Sequence, residues 1–520
     1  MRYYETIPEK HRVSPQQILT ANRLVLTLLF VFVLSVTLAA PPPYRWKIRV
    51  SVSPEMRQSF QKGGRLLLHI TSQRDREPRT RSEITIGITP ENWDGTRSFV
   101  IDTRAKTLRA TGLDKPLEKP DAKYCFQVVY KQNPDDGQEN VPGNLYSHID
   151  SVLLTKKLSL QLTLNTLIEP VPVIAHKLVK LITIQSKLLT AFRGRPGQLK
   201  AAVLLPSGYY DNPAKSYPIC YRIPGLNGRY TAVNTVFGNK DFADWWQSGQ
   251  APQVIYVFLD SQGPYGDTYQ VDSENNGPCG RALTEELIPE IERQVGYNPA
   301  SRKRFLTGNS TGGWVSLALQ IFYPDFFDGT WSYSPDPVDF EHYGLINIYS
   351  DKSVFYNRYG YLQPGRRTTN GEPTFSMRDW IANENTASRT NNYLISGGQF
   401  GAYNAVFGPK GKDGLPSLMF NPDTGEIDHA IARQWEKYDL KKVLETNWST
   451  LGPKLQGKIW IWMGDMDGLY SNVATRYLEK MLNKTENPKS DAKIRFTPMA
   501  GHGQEWSDKA VLTMIAEKTK

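Results

Sequence analysis

A serine, two neighbouring aspartates and a histidine fall late in this 520-residue chain, in an order suited to nucleophilic acyl chemistry. Ser310 stands in Phe305-Leu306-Thr307-Gly308-Asn309-Ser310-Thr311-Gly312-Gly313-Trp314, where an apolar run enters Gly-x-Ser-x-Gly and a helical stretch begins at once. A sharp strand-to-helix turn of this kind holds a serine strained and accessible, and small residues two places away let neighbouring backbone approach. The helix start directs free N–H groups and partial positive charge at the reacting centre. The Thr311 N–H is therefore the first candidate donor to an oxyanion. Gly-x-Ser-x-Gly alone also describes an ordinary tight turn; the strand before and helix after it favour a nucleophile.

A serine hydroxyl needs a base, and in this strand–turn–helix setting the acid and histidine follow the serine. His342, His429 and His502 are the histidines downstream. His502 lies in Gly501-His502-Gly503 after the apolar segment 493–498, in a loop able to reach a site, whereas the other two fall in a long irregular stretch. The acid is expected after the strand 458–463, in Gly464-Asp465-Met466-Asp467-Gly468. Asp467 is preferred because it lies deeper in the loop, where its side chain can turn back to fix an imidazole; Asp465 is the alternative acid. Asp-x-Asp-Gly also opens a calcium loop, but the remaining ligands of such a loop are missing, so neither a metal nor a cofactor is expected. The second oxyanion donor is assigned to the Leu226 N–H in Pro224-Gly225-Leu226-Asn227-Gly228, the glycine-rich turn after strand 217–223.

These residues need a scaffold that alternates strands and helices. From about Leu181 onward, strand candidates at 199–205, 217–223, 253–259, 304–307, 330–333, 458–463 and 493–498 alternate with helical stretches at 282–295, 314–323 and 473–482. Near-continuous apolar strands of this type belong to a mostly parallel sheet covered on both faces. Residues 338–456 interrupt the alternation and are too long for a loop; they are read as a cap inserted over the catalytic edge. Ahead of residue 180, short strands at 64–71, 83–88, 124–130 and 158–164, separated by turn-rich pieces, predict an N-terminal β-sandwich-like domain over 41–180.

The apolar run Leu24–Ala40, after Lys10, Arg12 and Arg23 and before Pro41-Pro42-Pro43, reads as a signal peptide or an uncleaved membrane anchor within residues 1–40. Either places the rest outside the cytoplasm, secreted or periplasmic, or tethered to a membrane through residues 24–40. The net charge of +10 is dispersed among acidic residues, with no basic arm or stripe of the kind nucleic-acid binders concentrate. Cys125, Cys220 and Cys279 are too few and too scattered for a disulfide framework.

The residues just quoted resemble the Putative-esterase family of α/β-hydrolases, which includes feruloyl esterases, S-formylglutathione hydrolase, enterochelin esterase and the mycolyltransferases. Tyr217-Pro218, the Pro224–Gly228 loop, Glu286-Leu287-Ile288-Pro289, the elbow at Ser310, Gly464-x-x-Asp467 and His502 carry the resemblance across about 300 residues. It implies an α/β-hydrolase catalytic domain over 181–520, with Ser310 as nucleophile, His502 as base and Asp467 as acid. The family's usual His-Gly in the oxyanion loop is Pro224-Gly225 here. The expected activity is hydrolysis of a small-molecule or polysaccharide ester, with acylated carbohydrate, phenolic or siderophore esters as substrates. The alternatives are an acyltransferase using the same triad, a serine peptidase, and a surface binding protein that has lost turnover.

Overall fold

A computed structural model describes residues 44–113, 122–212, 215–296 and 303–519. The apolar run 24–40 lies outside the described residues, and among those described no helix is long and apolar enough to cross a membrane.

Nine strands build the N-terminal part: β1 (Arg45–Val52), β2 (Arg65–Thr71), β3 (Ile84–Ile88), β4 (Phe99–Asp102), β5 (Arg109–Thr111), β6 (Lys123–Lys131), β7 (Leu145–Ser147), β8 (Asp150–Leu153) and β9 (Lys157–Leu167). They form one hydrogen-bonded sheet in the order β4-β1-β9-β7-β6-β2-β3-β5, with β8 paired to β6. In β1 the two-residue period of a strand turns Trp46, Ile48, Val50 and Val52 inward and Arg45, Lys47 and Arg49 outward. The inward set joins Leu66, Leu68, Ile86, Phe126 and Leu164 in a core separate from that of the rest of the chain.

The second sheet holds the scaffold expected for the site. Its strands are β10 (Val179–Ser186), β11 (Gly197–Leu204), β12 (Ile219–Ile223), β13 (Ile255–Leu259), β14 (Arg304–Asn309), β15 (Gly329–Tyr333), β16 (Ile459–Gly464) and β17 (Lys493–Thr497). The order is β10-β11-β13-β12-β14-β15-β16-β17. β10 and β11 pair antiparallel, as do β11 and β13; every later neighbour is parallel. This is the α/β-hydrolase arrangement. All residues of β13 and β15 are buried, as covering by helices on both faces requires. β14 runs centrally, flanked by β12 and β15.

Between β15 and β16 the chain leaves the sheet to form the insertion. It contains the hairpin Pro364–Arg367/Pro373–Ser376, helices Met377–Ala387 and Gln399–Phe407, and the crossover helix Leu440–Leu455 that returns to β16. The N-terminal sheet packs on it through buried cations. Lys131, at the end of β6, donates to the Ser396 carbonyl at 2.5 Å, and Arg65 donates to the Thr386 carbonyl at 2.8 and 3.0 Å and to Asn391 Oδ1 at 2.7 Å. Burial pushes Lys131 down to about 7 and Arg65 to about 10. The three cysteines are free and buried: Cys125 in β6, Cys220 in β12 and Cys279 on the short helical turn 279–281.

Candidate active site

Ser310 occupies the one-residue joint between β14 and the helix Thr311–Phe322, with φ 60° and ψ −126°. A non-glycine residue with positive φ outside the helical well is strained, and such strain persists only where the surroundings fix it. Its N–H donates to the Tyr333 carbonyl on β15 at 2.9 Å, and its own carbonyl accepts the first helical bond, from Trp314 N, at 3.1 Å. Gly308 and Gly312 are required by contact: a Cβ at 308 would lie 2.2 Å from the Gly312 carbonyl, and one at 312 would lie 2.3 Å from the Ile223 carbonyl. The small residues at both sides of the serine thus allow β12, β14 and the helix to close on one another.

Two loops meet this elbow. The Pro224–Gly228 turn leaves β12 beside β14, and a Cβ on Gly225 would lie 3.8 Å from Ser310 Cβ. A bond from Gly228 N to the Gly225 carbonyl at 2.9 Å closes the turn, with Asn227 at φ 66°. This sets Gly225, the residue before Leu226, against the serine. The loop after β17 comes from the other direction: a Cβ on Gly503 would lie 2.8 Å from Asn309 Nδ2, and Gly503 N donates to Ser334 Oγ at 2.9 Å. His502 is the residue carried by that loop.

His502 Nδ1 lies 2.6 Å from Asp467 Oδ2. Asp467 is fully buried, and its other oxygen, Oδ1, accepts from Leu469 N at 2.9 Å and Ser471 N at 3.2 Å. These backbone donors aim the carboxylate, and Arg367 steadies the loop by donating to the Asp467 carbonyl at 3.0 Å. Burial opposes charge on the imidazole, but the hydrogen bond and negative charge of Asp467 outweigh it, and the His502 pKa is raised. With Nδ1 engaged by Asp467, Nε2 is buried with no hydrogen-bond partner, so it remains the nitrogen able to take a proton.

The remaining polar candidates sort themselves by contact. Asp465, the alternative acid, pairs with Arg476 and braces the loop from its outer side; His502 is bonded to Asp467 instead. His342 Nδ1 lies 2.7 Å from Asp339 Oδ2, and its ring stacks on Tyr477. His429 Nδ1 lies 3.3 Å from the Ile348 carbonyl.

Sequence reading missed Asp336. This buried residue follows β15, and its Oδ2 accepts from Tyr269 Oη at 2.7 Å, Thr311 Oγ1 at 2.8 Å and Gln399 Nε2 at 3.0 Å. One carboxylate oxygen thus ties the residue after Ser310 to the insertion. Arg229 makes a second tie: it bonds Asp260 at 2.8 and 3.0 Å and Asp136 of the N-terminal part at 2.6 Å. The loop after β6 therefore reaches the residue that follows the turn carrying Leu226.

Among solved structures, a ferulic acid esterase aligns with a TM-score of 0.40 at 15% identity, covering 66% of this chain and 98% of its own. An S-formylglutathione hydrolase from Agrobacterium tumefaciens gives 0.35 at 12% identity, covering 65% and 92%. A fluorophosphonate-binding serine hydrolase of Staphylococcus aureus gives 0.38 at 11% identity, covering 66% and 98%. No curated protein matches the sequence. The family model described as Putative esterase matches residues 195–497, more than half of the chain and the whole course from β11 to the end of β17, and the chain belongs to that family.

Proposed function

We propose that this chain is an exported serine esterase that cleaves a carboxylic ester through an acyl-enzyme on Ser310. The observation that carries the reading is the Asp467–His502 pair at 2.6 Å with a buried, unpartnered Nε2, in a loop packed against the residue before a strained serine. His502 Nε2 takes the Ser310 hydroxyl proton as Oγ bonds to the ester carbonyl carbon. The carbonyl oxygen becomes an oxyanion, received by the Leu226 and Thr311 N–H groups; each such donor lowers the barrier by roughly 3 kcal/mol. Collapse expels the alcohol, which leaves with the proton from His502. Water then adds to the acyl-enzyme with His502 again as base, releasing the acid and restoring Ser310. Asp467 holds the tautomer and stabilises the imidazolium.

Membership of an esterase family supports a carboxylic ester substrate. Acylated carbohydrates, phenolic esters and siderophore esters are the classes we put forward, and the apolar run 24–40 supports export. A fluorophosphonate probe should label the wild type and fail to label Ser310→Ala. Labelling of both proteins alike would refute the assignment, and an intact wild type that never labels would favour a binding protein without turnover. The linkage of the insertion to the elbow through Gln399 and Asp336 keeps acyl transfer as the second reading. Product analysis with and without an alcohol acceptor separates it from hydrolysis.

A further inference from the structure

Beside the triad lies a cavity of about 50 Å³ that the mechanism leaves unused. One wall is Asp336, whose carboxylate holds the Thr311 hydroxyl; another is Leu469–Ser471, the segment just after Asp467. Tyr343, Trp380, Phe400 and Tyr403 of the insertion complete it, and Leu345, 41% exposed, stands at its mouth. The cavity is thus bounded by Asp336, which accepts from the first residue of the nucleophile's helix, by the acid's loop and by rings of the insertion. Two hydroxyls of its lining residues, Tyr343 Oη and Ser471 Oγ, are buried without a hydrogen-bond partner. The Tyr343 hydroxyl has no hydrogen-bond partner although the residue is only 4% exposed. Leaving a buried hydroxyl unpaired is unfavourable, so the site favours an occupant that pairs with it.

We propose that this cavity is the acyl pocket and that it takes a short aliphatic chain carrying a hydroxyl group, which bonds to Tyr343. The proposal rests on the serine-esterase reading and narrows its substrate. Size sets the chain: at roughly 10–15 Å³ per water-sized group, the space holds about four heavy atoms beyond the carbonyl carbon. An aromatic ring does not fit, since a benzene-binding cavity is about 150 Å³. Chemistry sets the polar group. An anionic chain would meet the Asp336 carboxylate. A cationic chain would gain little from it: Asp336 already receives three neutral donors, its burial raises its pKa, and the Arg366 guanidinium stands 5.1 Å from the Trp380 ring on the same wall. A neutral hydroxyl both donates and accepts, which suits a tyrosine hydroxyl. The leaving alcohol has room elsewhere, in an 810 Å³ cleft whose lining includes Asn227 and Arg229 beside the oxyanion turn.

The test compares 4-nitrophenyl 3-hydroxybutyrate with 4-nitrophenyl isovalerate, whose chains match in heavy atoms and differ by hydroxyl against methyl. The wild type should favour the hydroxy ester in kcat/KM by about tenfold, the effect of one satisfied buried hydroxyl. Tyr343→Phe should bring the ratio to near one, without lowering Tm, because it removes an unpaired group. Leu345→Trp, an exposed change at the mouth, should slow both four-atom chains at least tenfold relative to 4-nitrophenyl acetate. Preference for isovalerate, fastest turnover of 4-nitrophenyl benzoate, or a ratio that survives Tyr343→Phe would overturn the proposal while fluorophosphonate labelling of Ser310 still stood. Absence of both labelling and hydrolysis would instead bring down the esterase reading, and the pocket assignment with it.

Discussion

In the N-terminal sheet the functional polar side chains are long, cationic and project from within strands or at their ends: Arg65 opens β2 and Lys131 closes β6, and both end on backbone carbonyls of the insertion. In the C-terminal sheet they are short and sit just past the C-terminal ends of parallel strands: Ser310 after β14, Asp467 after β16 and His502 after β17. The first set satisfies buried backbone groups and fixes one body on another. The second is gathered where β12, β14, β16 and β17 deliver their loops to one edge, the usual place for a ligand in an open α/β sheet. On the proposed reading, stability and turnover are assigned to different sheets, and substitutions should separate them.

The largest expected effect is on turnover alone. Ser310→Ala should lower kcat on a 4-nitrophenyl ester by on the order of 10⁶-fold, with Tm unchanged or raised, since the strained joint loses only a hydroxyl. A Tm fall of several degrees would blur the division. Next, Asp467→Asn should cost on the order of 10⁴-fold in kcat by spoiling the imidazole tautomer, while Asp465→Asn changes kcat by less than about threefold, because an exposed ion pair is worth roughly 0–1 kcal/mol. Equal losses at the two positions would contradict the assignment of the acid.

The pH profile sharpens the same contrast. His502 must be neutral to accept the serine proton, and its pKa is raised. Activity should therefore fall with decreasing pH through a midpoint above the ordinary histidine value of 6.5. In Asp467→Asn the residual activity should show that midpoint at lower pH. Lys131 should give the smallest effect, and on stability only. Unfolded, it holds its proton to about 10.5; folded, burial releases the proton near 7. Between these values the unfolded chain binds the extra proton, so rising pH favours folding. The Tm of the wild type should climb relative to Lys131→Met from pH 7 to 10, with little change in kcat at pH 8. A constant Tm difference would show that the folded ammonium keeps its proton.

What the sequence disclosed follows the same division. The elbow was legible because Gly308 and Gly312 leave no room for a side chain, and contacts that demand glycine write themselves into the sequence. The apolar strands β12, β13 and β14 were legible because both faces are covered. β10 was harder to place, since it is a half-exposed antiparallel edge strand in which Leu181 faces outward. β1 was overlooked beside the proline run although Trp46, Ile48, Val50 and Val52 alternate cleanly. Asp336 was not legible at all: its partners at 269, 311 and 399 share no spacing, and only the fold brings them together. The ties from Arg65 and Lys131 were equally silent, because their acceptors are backbone carbonyls that every residue possesses.

The three buried thiols have a practical consequence. Cys220 and Cys279 are held far from thiolate formation by burial, the latter pushed up to about 12, and Cys125 is enclosed within the other sheet. The native thiols should thus ignore alkylating reagents and oxidants alike, and a maleimide would register only opening events. Because these sulfurs occupy β6, β12 and the 279–281 turn, mass mapping of the modified peptides would time how each region comes apart, with no reporter added.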